Sequence, residues 1–336
     1  IGMSQPPPGL LADRLQRAPA FVVVGAVLAA VFTPLVGITP NLPLTAVVLA
    51  LGGVGVAAFH PSSFAMASDM GGSRRTFAVA LFVFGGTIAL GVTPLWITPF
   101  ASAHGLERLP WLALPGVVLV LVAWRGVPTA ARTAAPSVRG LLAALAPRAP
   151  LLLLITAIVT LRSVTSIAFS TFLGVLEHER GVPVAEAGRL ALSLYLTAGV
   201  VGGLIAGYLA DRINPKPLVW GGLLLAAPLL WAYLQLPPGW TAYVLLTLGG
   251  AMTLSSNSVL VTVAQEAAPQ NPSLVSSLPQ GFAWGLGGMA LPLVGHVADR
   301  IGMQATLSWL AWLPVAGAVA ALWLPGTSRR PAPPAA

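Results

Sequence analysis

Charge is absent from this chain over stretches far longer than a water-soluble fold tolerates. Residues 18–68, 76–106, 217–265, 267–298 and 301–328 contain no Asp, Glu, Lys or Arg. A helix that crosses a bilayer needs about 20 consecutive apolar residues. The shorter gaps each hold one such helix, and 18–68 and 217–265 each hold two. Barrel strands alternate apolar and polar residues over about ten positions, and these runs do not. Composition agrees: 8% of the residues are charged and 56% hydrophobic, against roughly 25% charged in a soluble domain. The expected fold class is therefore an all-α polytopic membrane protein.

The gaps predict a partial helix over 1–11 and full spans near 19–37, 43–66, 76–100, 109–124, 150–174, 188–210, 217–235, 241–264, 275–298 and 305–324. Net charge is +8, carried by 16 Arg and one Lys in short clusters between the spans. That placement points to topology signals rather than to nucleic-acid binding. Twelve basic residues fall on one side: Arg14, Arg17, Arg74, Arg75, Arg125, Arg132, Arg139, Arg148, Arg212, Lys216, Arg329 and Arg330. Four fall on the other, Arg108, Arg180, Arg189 and Arg300, and Arg162 lies inside a span. The richer side is expected to be cytoplasmic, with both termini there and the chain in the inner (plasma) membrane. There is no Cys, so no disulfide framework is available.

Residues 125–148, rich in Ala, Pro and Arg, read as a cytoplasmic linker. The expected organisation is a membrane half over 1–124, the linker, a second half over 149–325 and a disordered tail over 326–336. Three of the four Asp residues stand in Ala-Asp-Arg with a glycine four residues earlier: Gly9 and Asp13, Gly207 and Asp211, Gly295 and Asp299. Asp13 and Asp211 are 198 residues apart, the length of six helices and a linker. Asp299 follows Asp211 by 88 residues, three helices on, as in a half built from inverted three-helix units. Aligning the two copies leaves the first about 50 residues short, so a first helix and part of a second are expected to precede Ile1.

These residues resemble the major facilitator superfamily. Gly9 to Arg17 is similar to its signature G-x-L-x-D-R-x-x-R, and Gly207 to Lys216 is similar to the copy in the other half, with Gln16 and Asn214 where the signature has its second glycine. More narrowly the chain resembles fosmidomycin-resistance-type efflux proteins. That likeness is carried by Ala58-Phe59-His60-Pro61, Phe84-Gly85-Gly86 running to Pro94, Leu161-Arg162-Ser163, Ala264 to Pro269, and Gly281 to Gly288. The resemblance implies two six-helix halves, alternating access, and secondary active efflux of a small molecule, an antiport linked to drug resistance. It implies protons and a small molecule as partners, with the lipid bilayer around a monomer and no nucleic acid.

Residue chemistry supplies candidate roles. Gly9 and Gly207 permit close helix approach, while Asp13 and Asp211 suit a neighbouring helix N-terminus. With Arg14, Arg17 and Arg212 they form a candidate gating latch. Arg162, mid-helix, costs about 2.5–3.5 kcal/mol if it faces lipid, so it should face a cavity or partner. Its guanidinium suits a phosphonate, phosphate or carboxylate. Thr156, Thr160, Ser163, Ser166 and Ser170 lie near its face, and Ser255, Asn257, Ser258, Thr262 and Gln265 form a similar stripe on another helix. Asp69 and Glu266 read as cytoplasmic gate charges, and His60, before the kink-forming Pro61, as a proton relay. Gln280 and Trp284 share a helical face suited to substrate contact.

No catalytic triad, metal-ligand spacing or cofactor motif is visible, so neither enzyme activity nor a cofactor is expected. A membrane prenyltransferase would need clustered aspartates to hold Mg²⁺. A ten-helix drug/metabolite transporter would repeat every five helices, shorter than the Asp13–Asp211 spacing. A fragment that does not transport is the remaining alternative.

Overall fold

The computed structural model describes residues 2–126, 137–183 and 189–326. The centre of the expected linker with Arg132, and the tail with Arg329 and Arg330, lie outside the described residues. Every regular element among the described residues is helical. The order is α1 (Pro6–Leu15), α2 (Ala18–Phe32), α3 (Leu42–Gly71), α4 (Arg75–His104), α5 (Ala113–Trp124), α6 (Val138–Leu145) and α7 (Ala149–Glu179). It continues with α8 (Arg189–Ala210), α9 (Pro215–Gln235), α10 (Trp240–Ala267), α11 (Pro272–Ser277), α12 (Ala283–Met289), α13 (Leu291–Ile301), α14 (Met303–Leu310) and α15 (Leu313–Ala321).

Nine helical stretches among the described residues are long and apolar enough to cross a membrane. One of them, Leu42–Ala89, contains both α3 and the start of α4, which the sequence reads as two of its ten spans. Proline explains where the observed helices depart from single rods. Pro272, Pro292 and Pro314 each stand in the first turn of a helix, where a missing N–H costs nothing. The expected span over 275–298 is thus α11, a π-helical turn at Leu278–Phe282, α12 and α13. The expected span over 305–324 is α14 followed by α15. At the chain start, α1 extends to Leu15 rather than ending near residue 11, and Asp13 sits in its last turn. Likewise α7 runs to Glu179 rather than to 174.

The residues gather into two compact units, each assembled from separate segments. The first comprises 1–66, 89–149 and 265–282, and there α2 packs on α5 and α1 on α11. Glycine brings α2 against α3: a Cβ on Gly25 would lie 2.6 Å from the Gly55 carbonyl oxygen. The second comprises 67–88, 150–264 and 283–336. Its core joins Phe169, Leu173 and Leu176 of α7 to Tyr195 of α8, Leu230 and Tyr233 of α9, Leu246 of α10 and Leu307 of α14. Phe169 and Tyr195 stack with ring centroids 5.9 Å apart.

Candidate functional site

The two Asp motifs form the same structure twice. Asp13 is buried, and its carboxylate accepts the Ser273 N–H at 3.1 Å and the Leu274 N–H at 2.8 Å. Both donors belong to the first turn of α11, where N–H groups have no partner within the helix. Gly9, one turn before Asp13, allows the approach: a Cβ there would stand 3.0 Å from the Ser273 carbonyl oxygen. Asp211 accepts the Thr76 N–H at 3.0 Å and the Phe77 N–H at 2.9 Å, in the first turn of α4. A Cβ on Gly207 would stand 2.9 Å from the Thr76 carbonyl oxygen. The receiving residues Thr76 and Ser273 are 197 residues apart, matching the 198 between the aspartates. Each carboxylate therefore caps a helix from outside it, complementing that helix's positive end. Burial pushes the Asp13 carboxyl up to about 6, against the downward pull of the Leu274 and Ser273 donors.

The third copy does not share this arrangement. Asp299 is exposed, and a Cβ on Gly295 would meet only the Phe172 ring, at 3.9 Å. The motif arginines are exposed. Arg212 lies over the Tyr208 ring and donates to the Tyr208 carbonyl at 3.0 Å.

Arg162 is fully buried at the middle of α7. Its Nη2 donates to the Asn257 Oδ1 of α10 at 3.1 Å, and its guanidinium carbon lies 5.2 Å from the centre of the Trp284 ring on α12. The Nε and Nη1 groups have no hydrogen-bond partner, nor do the buried Ser163 Oγ, Ser258 Oγ and Trp284 Nε1. A buried cation normally has its donors satisfied, so half of a planar fork is left with unmet demand. Gly287 allows α12 to reach this point of α7, since a Cβ there would lie 2.7 Å from the Ser163 Cβ. The hydroxyl stripe around Arg162 is less uniform than its spacing implies. Thr156, Thr160 and Ser170 donate to carbonyls of their own helix at 2.7, 2.8 and 2.6 Å. On α10, Ser255 and Thr262 do the same at 2.7 and 3.0 Å.

His60, Gln265 and Gln280 belong to the first compact unit, and Arg162, Asn257 and Trp284 to the second. His60 directs Nδ1 at the Val56 carbonyl oxygen, 3.0 Å away. A carbonyl only accepts, so that nitrogen carries the proton. Gln265 donates through Nε2 to the Phe64 carbonyl at 3.2 Å and to the Ser276 Oγ at 2.8 Å, with Oε1 buried and unpartnered. Gln280 lies in the π-helical turn, and its buried Nε2 has no partner. Such turns recur at functional positions in helices. Asp69 and Glu266 are exposed.

One buried acid was not singled out by the sequence reading, which ended its helix at 174. Glu177 is 1% exposed and accepts the Tyr233 hydroxyl at Oε1 and the Tyr243 hydroxyl at Oε2, each at 2.7 Å. Arg180 stands 3.6 Å from Oε1 and 5.1 Å from the Tyr233 ring centre. The cluster ties the end of α7 to α9 and α10 within one unit. Glu177→Ala strands two phenols and a cation in a buried site, a loss of about 3–5 kcal/mol. Thermal unfolding in detergent should show a clearly lowered midpoint, with Tyr243→Phe causing a smaller drop. An unchanged Glu177→Ala midpoint would show that the cluster carries no stability.

The Major Facilitator Superfamily pattern matches residues 1–292. The fosmidomycin resistance protein of Escherichia coli is 29% identical over 283 residues, covering 80% of this chain and 67% of that protein. The gentisate transporter of Corynebacterium glutamicum is 28% identical over 324 residues, covering 90% of this chain and 69% of that one. The crystal structure of the E. coli fucose:proton symporter FucP superposes with a TM-score of 0.80 over 97% of this chain and 88% of that chain. At 16% identity that likeness speaks for the fold alone. With a matched pattern over most of its length and an all-helical, multi-span structure, the chain belongs to the Major Facilitator Superfamily.

Proposed function

We propose that the protein exports a small anionic compound by secondary active, proton-coupled alternating access. The observation that carries this reading is Arg162, a fully buried guanidinium whose Nε and Nη1 donors have no partner. Among the described residues the one ion pair joins Arg180 to Glu177, leaving Arg162 without a carboxylate. An oxyanion can take a charge-assisted hydrogen bond from either free nitrogen and a second from the neighbouring Nη2, a planar arrangement an ammonium lacks. The Ser163 and Ser258 hydroxyls and the Trp284 indole N–H are further buried donors without partners in the same unit. Gentisate, the cargo for which one relative is named, is a carboxylate and belongs to this chemical class. Resistance, the property for which the other is named, is what export of a toxic compound produces. In this reading the Asp13 and Asp211 clasps hold one state of the cycle and release in the other, with two six-helix halves moving about them. Inward proton movement passes through a carboxylate or His60, while Trp284, beside Arg162, contributes to substrate contact.

Fosmidomycin is the direct probe. Cells producing the protein should accumulate less of it than cells without, and collapsing the proton gradient should erase the difference. Equal accumulation with the gradient intact would remove fosmidomycin as a substrate, and the same result across carboxylates and phosphonates would remove the anion reading.

Orientation is tested separately. The twelve-to-four basic distribution puts the 125–148 segment and both termini in the cytoplasm of a cell whose plasma membrane holds the protein. Because the chain has no Cys, Ala143→Cys gives a single thiol on α6. An impermeant maleimide should label it in opened cells and not in intact ones. Labelling from outside would invert the topology.

A further inference from the structure

Within the second compact unit, α8 and α9 form the walls and α10 the floor of an open groove of about 790 Å³. On α8 it extends from Leu190 to Leu209, about 28 Å at helical rise, close to the thickness of a bilayer's hydrocarbon core. Small residues sink the floor. A Cβ on Gly202 would lie 2.4 Å from the Ala251 carbonyl oxygen, and one on Gly222 2.6 Å from the Ser255 Oγ. Four hydroxyls line the groove: Thr247 donates to the Tyr243 carbonyl and Ser255 to the Met252 carbonyl, each at 2.7 Å, while Ser193 and Thr197 are exposed on α8. The rest of the lining is aliphatic or small and carries no cation, which suits a hydrocarbon chain and not a transported anion.

At its Leu190 end the groove has one cation beside it, Arg189. Its other end closes at Leu209 on α8 and Pro217 on α9 and has two, Arg212 in the turn and Lys216 at the start of α9. The acid in that turn, Asp211, has both oxygens occupied by the Thr76 and Phe77 N–H groups. The mouth therefore presents two cations beside a carboxylate already committed elsewhere. We propose that the groove is a phospholipid site, with an acyl chain lying along α10 and an anionic headgroup against Arg212 and Lys216. The site is separate from the Arg162 anion site and does not depend on the transport reading.

Gly221 lines the groove and has open space around a built Cβ, so the side chain of Gly221→Leu starts in free space and takes up groove volume. Native mass spectrometry of the purified protein, titrated with phosphatidylglycerol or phosphatidylcholine, tests the site. The wild type should retain phosphatidylglycerol more strongly than phosphatidylcholine. Gly221→Leu should lose the retained lipid, with its lipid-free unfolding midpoint serving as the folding control. Lys216→Gln should weaken phosphatidylglycerol about fivefold, the effect of one basic residue near an anionic surface, and leave phosphatidylcholine unchanged. Should Gly221→Leu fail to fold, Leu225→Trp, on the exposed groove wall, plugs the same space. Equal retention by plugged and wild-type protein would overturn the site, as would a dimer whose interface excludes lipid from it. Equal affinity for the two lipids would overturn the assigned headgroup.

Discussion

Arg162→Gln protein should no longer protect cells from a toxic small anion that the wild type exports. The substitution keeps most of the bulk and a donor toward Asn257, and removes the charge and the fork. Breaking one side of a desolvated guanidinium–oxyanion pair costs about 3–5 kcal/mol, which is two orders of magnitude or more in binding. Protection at ordinary exposure would then vanish. Arg162→Lys should recover part of it, because an ammonium supplies the charge but not two parallel donors. The empty site adds a second expectation. A buried, half-unsatisfied guanidinium destabilises the ligand-free protein, so Arg162→Gln should melt no lower than wild type in detergent. Normal export by Arg162→Gln would make Arg162 a structural partner of Asn257 and Trp284, and the anionic cargo would lose its support.

Asp13→Asn should slow transport about tenfold or more while leaving the amount of protein in the membrane unchanged. The carboxylate accepts two backbone N–H groups at 3.1 and 2.8 Å. An amide has one acceptor and must turn its NH₂ toward the other N–H. Hydrogen bonds to a charged group are worth about 1.5–3 kcal/mol, enough to shift a clasped–released equilibrium by a factor of ten or more. Asp211→Asn should act the same way, because its partners in α4 repeat the geometry. Gly9→Leu should be more severe, since even a Cβ meets the Ser273 carbonyl oxygen at 3.0 Å. Asp299→Asn is the control: the residue is exposed, and its removal should leave flux at the wild-type level. Unchanged flux in Asp13→Asn would reduce the clasp to a static feature.

The sequence announced the spans and both clasp aspartates for the same physical reason. Ionisable groups are costly in lipid, so where they occur is informative. It pointed Asp13 and Asp211 to a neighbouring helix N-terminus but not to α11 and α4 in particular, because backbone N–H groups at a helix start are invisible in residue identity. The equivalence of Thr76 and Ser273 emerges only once those helix starts are located. The motif alone made Asp299 a third copy, but a Cβ on Gly295 would meet only the Phe172 ring, with no backbone close by, and the carboxylate is exposed. Hydroxyl spacing on α7 suggested a binding stripe, yet Thr156, Thr160 and Ser170 bond their own backbone, a local choice that periodicity does not encode. Glu177 was hidden by a span boundary placed a turn too early and by partners 56 and 66 residues away. Gln16 carries a clearer signal in retrospect. It stands where the family signature has glycine and adopts φ 50, ψ 43, a left-handed conformation that glycine adopts without strain.

Flux through the purified protein in sealed proteoliposomes is the most direct test of the central claim. An imposed proton gradient should drive a radiolabelled phosphonate or carboxylate in the direction opposite to proton flow. An uncoupler should stop that movement, Arg162→Gln should eliminate it, and Asp299→Asn should leave it intact. Gradient-driven flux that persists in Arg162→Gln, or the absence of gradient-driven anion flux in the wild type, would contradict the account.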